Sequence, residues 1–279
     1  MKIKTVPCTA GGLGIKLDII PAGEMKKGER KEVMALLRPG DFRITDRGVE
    51  LSGLKEGDRI LDIGCGRGDT VNHLSRDRKM KAEGIDLSLS AVGEAKERYP
   101  GINVRFGDGE FLDDYSSFTF DGVFMECVLS LINIPDEALH EAYCVLKKGG
   151  RLIISDLYER EPEPGKVKAV RIEAERQSRI PHKEGDCEED RERFVDFRFE
   201  GAFFKEPLIA QLEEIGYKVT AFEDFSKELE DYVAQTIMEE GSLDGLITNV
   251  KTTDERGGKR KLGYFLLVAE KPLQAGRGV

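Results

Sequence analysis

Short apolar runs alternate with amphipathic stretches along most of the chain after residue 58. The runs have the length and composition of strands, and the intervening stretches carry the helical spacing of apolar positions. The runs predict strands over residues 59–63, 82–86, 103–106, 120–125, 151–156, 217–222 and 264–269. The stretches predict helices over residues 71–75, 91–98, 136–146, 206–215 and 227–238. Strand–helix repetition of this kind predicts a doubly wound α/β fold with a parallel sheet and right-handed crossovers.

Single residues mark the ends of several predicted helices. Ser88 is a natural N-cap for the helix over 91–98, and Gly216 follows the helix over 206–215. Pro135 opens the helix over 136–146, and the run 147–150, Lys-Lys-Gly-Gly, provides basic residues for its last turn and glycines to end it.

Two segments interrupt the alternation and divide the chain. Residues 1–50 are punctuated by glycines and have no apolar core of their own, so we expect an N-terminal arm over the active site, with a mobile terminus as the alternative. Residues 158–204 carry a charged helix over 167–178 and a dense charge run, which predicts an inserted cap or lid or, alternatively, a solvated surface insertion. The core is then expected over 51–157, and the rest of the sheet over 205–272.

The charge balance limits the classes of partner. The 43 Lys and Arg against 53 Asp and Glu give a net charge of −10, which argues against a nucleic-acid backbone as substrate. No apolar run approaches the roughly 20 residues that span a bilayer, and no signal peptide is evident. Five scattered cysteines suit free thiols in a reducing compartment, so we expect a cytoplasmic protein. No cysteine or histidine spacing indicates a metal site, and the oligomeric state stays open.

The stretch from Asp62 to Gly68, Asp-Ile-Gly-Cys-Gly-Arg-Gly, joins the first predicted strand to a helix. Glycines tolerate positive φ and let a ligand lie against the backbone, while the free N–H groups of the next helix face it. The spacing G-x-G-x-G differs from the G-x-G-x-x-G of dinucleotide sites, which disfavours a nicotinamide-dependent oxidoreductase. A plain structural turn is the alternative.

Each of the first four predicted strands leads to an acidic residue at its carboxyl end, where open α/β sheets bind ligands. These residues are Asp62, Asp86, Asp108 and Glu126. Asp86 lies 86 − 64 = 22 positions after Gly64, at the distance expected for a residue that binds ribose hydroxyls. Four carboxylates at successive strand ends indicate a binding site better than four separate surface roles do.

These motifs, together with the segment Leu146–Ile154, resemble class I S-adenosylmethionine (SAM) dependent methyltransferases, in particular the arsenite and ubiquinone/menaquinone groups. The resemblance covers residues 55–157 well and 205–270 loosely. It implies a Rossmann-like seven-stranded sheet with the last strand antiparallel, SAM as the cofactor, and methyl transfer to a small-molecule acceptor.

The resemblance also assigns roles to individual residues. Cofactor-binding roles fall on Asp62, Gly64, Cys65, Gly66, Gly68, Asp86, Leu87, Asp108, Gly109 and Glu126. Within this set, the glycines approach the methionine part of SAM, Asp62 lies near its amino group, Asp86 holds the ribose, and Asp108 with Gly109 reaches the adenine. Glu126 and Cys127 face the methyl side and are the catalytic candidates, while Phe42 and Thr45 are candidates to cover the methionine end.

The acceptor stays open at this point. Arsenite methyltransferases use a cysteine at the position of Cys127 together with further thiols, which Cys8 and Cys187 could supply by location. The later thiol of that family stands just before a Gly-Ala pair, whereas this chain has no cysteine in the stretch 197–200 directly before Gly201-Ala202. The alternative role for Cys127 is a small buried hydrophobe. A methyltransferase-fold module that binds SAM without turnover is the competing function.

Overall fold

The computed structural model describes residues 38–170, 197–199, 201–240 and 260–273, all within the unit Leu36–Val279. The unit Met1–Ala35 lies outside these residues. The helices are α1 Phe42–Ser52, α2 Asp69–Arg76, α3 Leu89–Arg98, α4 Pro135–Val145, α5 Lys205–Ile215 and α6 Ser226–Glu240. The strands are β1 Arg59–Ile63, β2 Lys81–Asp86, β3 Val104–Phe106, β4 Phe120–Glu126, β5 Leu146–Glu159, β6 Arg198–Phe199, β7 Ala202–Phe203, β8 Lys218–Asp224 and β9 Leu262–Glu270.

Seven of these strands form the main sheet in the order β3-β2-β1-β4-β5-β9-β8. The pairs from β3 to β5 are parallel, and β9 runs antiparallel to both of its neighbours. The predicted seven-stranded sheet with an antiparallel last strand is therefore confirmed. The strand order reverses between β1 and β4, and the carboxyl ends of these two strands form the crevice in which such sheets bind ligands.

The sheet strands bury alternate residues on two opposite faces. Leu61, Val123 and Leu152 pack in the cluster that contains α4 and α5, whereas Ile60, Phe124 and Ile153 pack in the cluster that contains α1, α2, α3 and α6. The period of two explains why the strands read as continuous apolar runs: both faces are covered by helices.

Two predicted helix ends are confirmed. The N–H of Ala91 donates to the Ser88 hydroxyl at 3.1 Å, so Ser88 caps α3. Gly216 adopts a left-handed conformation with φ 113° and ends α5. The predicted strands and helices lie within a few residues of the observed ones elsewhere, apart from the region around residue 146.

The predicted end of α4 is wrong. The helix ends at Val145, and the run from Leu146 to Gly150 belongs to β5, where Leu146 pairs with Phe120. The side chain of Leu146 is fully buried, and Gly149 at φ 79° provides an irregular backbone where the register shifts. Burial of the leucine and the β-bulge therefore outweigh the helix-ending chemistry that the lysines and glycines suggest.

The sequence did not indicate two further features. Residues 42–52, assigned largely to the arm, form α1, and the Cα of Gly48 lies so close to β5 that a Cβ there would sit 2.8 Å from Ile153 Cγ2. Strand β5 extends past the carboxyl end of β4, and there Tyr158 of β5 pairs with Phe203 of β7. Strand β7 in turn forms a hairpin with β6. The predicted charged helix is helical over residues 164–170, and the rest of it lies outside the described residues.

None of the helices in residues 38–170, 201–240 and the shorter described pieces combines the length and apolar composition required to cross a bilayer.

Candidate functional site

The glycine turn after β1 has three glycines with different surroundings. Gly64, Gly66 and Gly68 all have positive φ, at 73°, 50° and 78°. A Cβ on Gly64 would lie 2.1 Å from Val128 Cγ2, and one on Gly68 would lie 2.7 Å from Ile102. A Cβ on Gly66 would meet no atom within 4 Å. Gly64 and Gly68 thus allow close packing inside the protein, whereas Gly66 borders open space in the crevice.

Asp86 ties the glycine turn to the loop after β2. One carboxylate oxygen accepts from the N–H of Gly66 and the other from the N–H of Ser88, each at 2.8 Å. The N–H groups of Gly64 and Cys65 donate to the Ile85 carbonyl at 2.8 and 2.9 Å. These bonds fix the turn against β2 and place the Asp86 carboxylate beside the open side of Gly66.

Cys65 belongs to the glycine turn after β1, and Leu87 belongs to the loop after β2. The Cys65 side chain is buried, and a Cβ on Gly84 would come within 2.8 Å of its sulfur, so the small residue in β2 makes room for the thiol. Burial raises the pKa of Cys65. Leu87 is 60% exposed at the carboxyl edge of the sheet, where an apolar side chain can contact a ligand ring.

Asp62 is a buried carboxylate in β1, only 2% exposed. Burial raises its pKa well above the usual value, the nearby charge of Glu126 adds to this effect, and Arg38 opposes it. A cation that approached Asp62 would stabilise the ionised form. The residue is therefore suited to a positively charged ligand group.

The loop after β3 is shaped by Asp108, Gly109 and Glu110. Asp108 accepts from the N–H of Glu110 at 3.0 Å, and a Cβ on Gly109 would lie 2.5 Å from Ile63. The buried Glu110 carboxylate accepts from the N–H groups of Asn133 and Ile134 at 2.9 and 3.0 Å. Glu110, which the sequence reasoning passed over, thereby links the β3 loop to the start of α4.

Glu126 lies in a buried network rather than at a free strand end. Its two oxygens accept from the hydroxyls of Thr45 and Thr70, each at 2.9 Å. Arg38 forms an ion pair with the same carboxylate at 3.1 Å and donates to both threonines at 2.7 and 2.8 Å. The network joins the turn before α1, α1 itself, α2 and β4.

The segment before β1 is fixed by a second group of contacts. Phe42 stacks on the His73 ring with centroids 4.2 Å apart. The two nitrogens of His73 lie 2.6 Å from Asp46 and 2.8 Å from Asp77. Phe42 and Thr45 are thus held close to the glycine turn, because Thr70 and His73 belong to the helix that follows it.

Cys127 has an unusual backbone and a fixed thiol. Its φ is 56°, rare for a residue other than glycine, and its sulfur lies 2.8 Å from the Tyr264 hydroxyl, which donates to Ser155 at 3.0 Å. Burial raises the pKa of Cys127 to about 12, and the charge of Asp156 adds to this effect. The thiol is therefore protonated at neutral pH in the ligand-free protein, which disfavours a role as a nucleophile there.

The segment after Cys127 is held from three sides. Asp156 accepts from the N–H of Ser130 at 2.8 Å, and Arg198 donates to the carbonyls of Ser130 and Ile132, each at 2.8 Å. Glu110 fixes the other end of this segment through the N–H groups of Asn133 and Ile134. The described part of β6 therefore helps to fix the wall of the crevice beside Cys127.

The sequence-predicted residues from Asp62 to Glu126 all lie at the carboxyl ends of β1 to β4. Cys8, Cys187 and most of the predicted lid lie outside the described residues. Arg38 and Thr70 were missed by the sequence reasoning, and the only signal for Arg38 was its position in a Pro-Gly turn. Within the described ranges, no three His, Cys, Asp or Glu side chains are arranged to hold a metal ion.

The chain matches proteins of known description. A family model described as "Methyltransferase domain" matches residues 54–193. The 27-O-demethylrifamycin SV methyltransferase of Amycolatopsis mediterranei is 30% identical over 148 residues, which cover 50% of this chain and 53% of that protein. The arsenite methyltransferase of Aquipseudomonas alcaligenes is 30% identical over 125 residues, which cover 40% of this chain and 36% of that protein. The chain thus spans about half or less of the length of these relatives.

A solved structure shows the same fold. Phosphoethanolamine N-methyltransferase 2 of Haemonchus contortus, in complex with phosphomonomethylethanolamine and S-adenosylhomocysteine, superposes with a TM-score of 0.59 at 17% identity. The match covers 85% of this chain and 54% of that chain.

Proposed function

This chain belongs to the methyltransferase domain family, with SAM as its cofactor, and we propose that it transfers the SAM methyl group to a small-molecule acceptor. The observation that carries the proposal is the arrangement at the carboxyl ends of β2, β1 and β4. There, Gly66 borders open space, and the Asp86 carboxylate lies beside it. A ligand with an adenosine and an amino-acid end fits this set of hydrogen-bond acceptors, because carboxylates are available for its hydroxyl and ammonium groups.

The residues of the crevice divide the binding task. Asp86 would accept from the ribose hydroxyls, and Asp108 and Gly109 would line the adenine with Leu87. Asp62 would accept from the ammonium group, and Gly64, Gly66, Gly68 and Cys65 would shape the backbone along the methionine part. When bound, SAM supplies a sulfonium methyl that is already activated for transfer.

The protein's contribution is then to align the acceptor and exclude water, which needs no catalytic triad. Cys127 forms part of the wall on the methyl side, with its thiol protonated and held by Tyr264. Glu126 has both oxygens engaged by Thr45, Thr70 and Arg38, which favours a positioning role over proton transfer. The exclusion of water by the segment over 158–204 stays a prediction.

Arsenite remains a second acceptor to test, because one relative is an arsenite methyltransferase. The geometry at Cys127 does not favour it, since the thiol is paired with a tyrosine hydroxyl and its pKa is raised. Metalloid binding would require the protein to release the proton of a buried thiol.

The proposal is tested first by calorimetry with SAM and then by incubation of labelled SAM with thiol, quinone, phenol, amine and arsenite acceptors. We expect SAM to bind the wild-type protein and Asp86→Asn to weaken binding about tenfold or more, because charge-assisted hydrogen bonds are lost. Asp113→Asn, an exposed carboxylate on the loop after β3, is the matched control and should bind as wild type. If the wild-type protein does not bind SAM, the proposal fails. If SAM binds but no acceptor is methylated, a binding module becomes the better description.

A further inference from the structure

The β4–α4 loop, residues 127–134, lies against two parts of the cofactor crevice. Val128 packs on Gly64, since a Cβ on that glycine would lie 2.1 Å from Val128 Cγ2. Ile132 approaches Gly109, because a Cβ there would lie 3.7 Å from Ile132 Cδ1. Gly64 belongs to the turn proposed for the methionine part of SAM, and Gly109 belongs to the loop proposed for the adenine. The position of this one loop therefore shapes the crevice at both places.

The loop contains a helical turn. The N–H groups of Leu131 and Ile132 donate to the Val128 carbonyl at 2.8 and 3.0 Å, which closes the turn. The last carbonyls of a helical turn have no partner inside it, so they need a donor from elsewhere. A cation is the favoured donor, because the partial charge at that end is negative.

Arg198 of β6 provides this cation. Its Nη1 donates to the carbonyls of Ser130 and Ile132, each at 2.8 Å, and its Nη2 lies 3.4 Å from the Asn133 carbonyl. The planar guanidinium thus contacts three carbonyls of one turn, an arrangement that a lysine ammonium does not reproduce. On the other side of the turn, Asp156 accepts from the N–H of Ser130 at 2.8 Å.

The support of Arg198 is a distant part of the chain, 68 positions from Ser130. Strand β6 forms a hairpin with β7, and the flanking side chains of Phe197 and Phe203 are fully buried with ring centroids 5.7 Å apart. Both phenylalanines pack in the cluster that contains α4 and α5. The hairpin is therefore anchored in the core, and Arg198 connects it to the β4–α4 loop.

We propose that Arg198 is a positioning residue for SAM binding: it holds the β4–α4 loop against the crevice and couples the cofactor site to the hairpin β6–β7. The proposal rests on the proposed function, because it concerns the site where SAM would bind. In this role Arg198 acts through Val128 and Ile132 and not through contact with the cofactor. By linkage, a cofactor that favours the positioned loop stabilises the Arg198 contact by the same factor.

Hydrogen exchange measured by mass spectrometry tests the contact, and calorimetry with S-adenosylhomocysteine tests the coupling. The variants are Arg198→Ala and Arg198→Lys. The matched control is Arg76→Ala, which removes an exposed arginine at the end of α2. Circular dichroism establishes that each variant is folded at the temperature of the measurements.

Without ligand, we expect residues 128–134 to exchange about tenfold faster in Arg198→Ala than in the wild-type protein, because the turn opens more often once its carbonyls lose a charged donor. The same variant should bind S-adenosylhomocysteine about 5- to 20-fold more weakly, within the usual range of coupling between two sites. Arg198→Lys keeps the charge without the planar fork and should show a smaller loss. Arg76→Ala should match the wild-type protein in both measurements.

Guanidinium chloride at millimolar concentration separates positioning from general destabilisation. The free cation can donate to the carbonyls that Arg198→Ala leaves open, so it should improve the S-adenosylhomocysteine affinity of this variant about threefold or more. Sodium chloride at the same concentration is the ionic control and should give no improvement. A variant that is only less stable would gain nothing, because guanidinium weakens the folded state.

The reciprocal effect is measured on the hairpin. Bound S-adenosylhomocysteine should slow the exchange of residues 197–199 and 201–203 in the wild-type protein, and this slowing should be lost in Arg198→Ala. Unchanged exchange over 128–134 in Arg198→Ala would overturn the contact. Ligand affinity within about twofold of wild type, or no rescue by guanidinium, would overturn the coupling. Failure of the wild-type protein to bind S-adenosylhomocysteine would overturn the proposed function instead, and exchange without ligand would then still decide the contact.

Discussion

The three glycines after β1 should respond differently to the same substitution. Gly64→Ala and Gly66→Ala both place a Cβ at positive φ, with φ at 73° and 50°. Only the first introduces a clash, because its Cβ would lie 2.1 Å from Val128 Cγ2 and 2.7 Å from Val128 Cβ. We therefore expect Gly64→Ala to affect stability most and Gly66→Ala to affect ligand binding most.

The magnitudes follow from these distances. A left-handed alanine costs about 1–2 kcal/mol, and the reduced freedom of the unfolded chain returns about 0.4–1 kcal/mol. Gly66→Ala should thus lower the free energy of unfolding by about 1 kcal/mol. Gly64→Ala adds overpacking of about 1–3 kcal/mol, for a total of about 2–4 kcal/mol. The double variant Gly64→Ala/Val128→Ala lacks both valine methyl groups that face the new Cβ. It should therefore recover about 1 kcal/mol of the stability that Gly64→Ala loses.

The assay is urea unfolding followed by circular dichroism, together with calorimetry of S-adenosylhomocysteine binding on each folded variant. Gly66→Ala should weaken binding about tenfold or more, because its methyl group enters the open side of the turn. Gly64→Ala should bind more nearly as wild type at a temperature where it is folded. The reasoning is refuted if Gly66→Ala binds as wild type, or if the two variants lose equal stability and Val128→Ala recovers none of it.

The thiol of Cys127 should react at least about a hundredfold more slowly with iodoacetamide than free cysteine at pH 7.5, because burial raises its pKa to about 12 and the thiolate fraction is correspondingly small. Its rate, followed by mass spectrometry of the labelled peptide, should rise with pH up to pH 10 without a plateau; a plateau near pH 8.5 would contradict the assignment. Glu110→Ala should lower the free energy of unfolding by about 1.5–3 kcal/mol, since two backbone N–H groups lose a charged acceptor. Urea unfolding measures this, with the exposed Asp113→Ala as the control, and equal values for the two variants would argue against the bridge.

Strands β1, β4 and β9 could be predicted because they are buried on both faces and read as continuous apolar runs. The prediction for β1 has the observed bounds, Arg59–Ile63, for this reason. The helix α1 could not be found in the same way. The Asp41 side chain does not cap α1. The helix packs through Gly48 against Ile153, which is roughly a hundred residues away in the sequence. Its stability comes from tertiary contacts that a local pattern does not contain.

Part of the candidate site could also be predicted from the sequence, because its residues follow the strands. The acidic residues follow strands, and parallel strands bring their carboxyl ends to one edge, so Asp62, Asp86 and Asp108 could be grouped in advance. The network around Glu126 could not be predicted. Arg38 reaches Thr70 at a separation of 32 positions and Glu126 further still. Such contacts depend on how α1 docks, and no spacing rule encodes that docking.

The placement of Arg38 and Thr45 has a consequence for where this protein can be cut. The span shared with the family, residues 54–193, contains Glu126 but omits α1, which supplies Thr45, and the turn before it, which supplies Arg38. It also omits β9, which pairs with β5 from Arg151 to Glu159. A fragment with these bounds would hold an interior carboxylate without its cation and a central strand with an open edge. We therefore expect the smallest independently folding piece to be larger than the region of family likeness and to begin no later than the turn at Arg38.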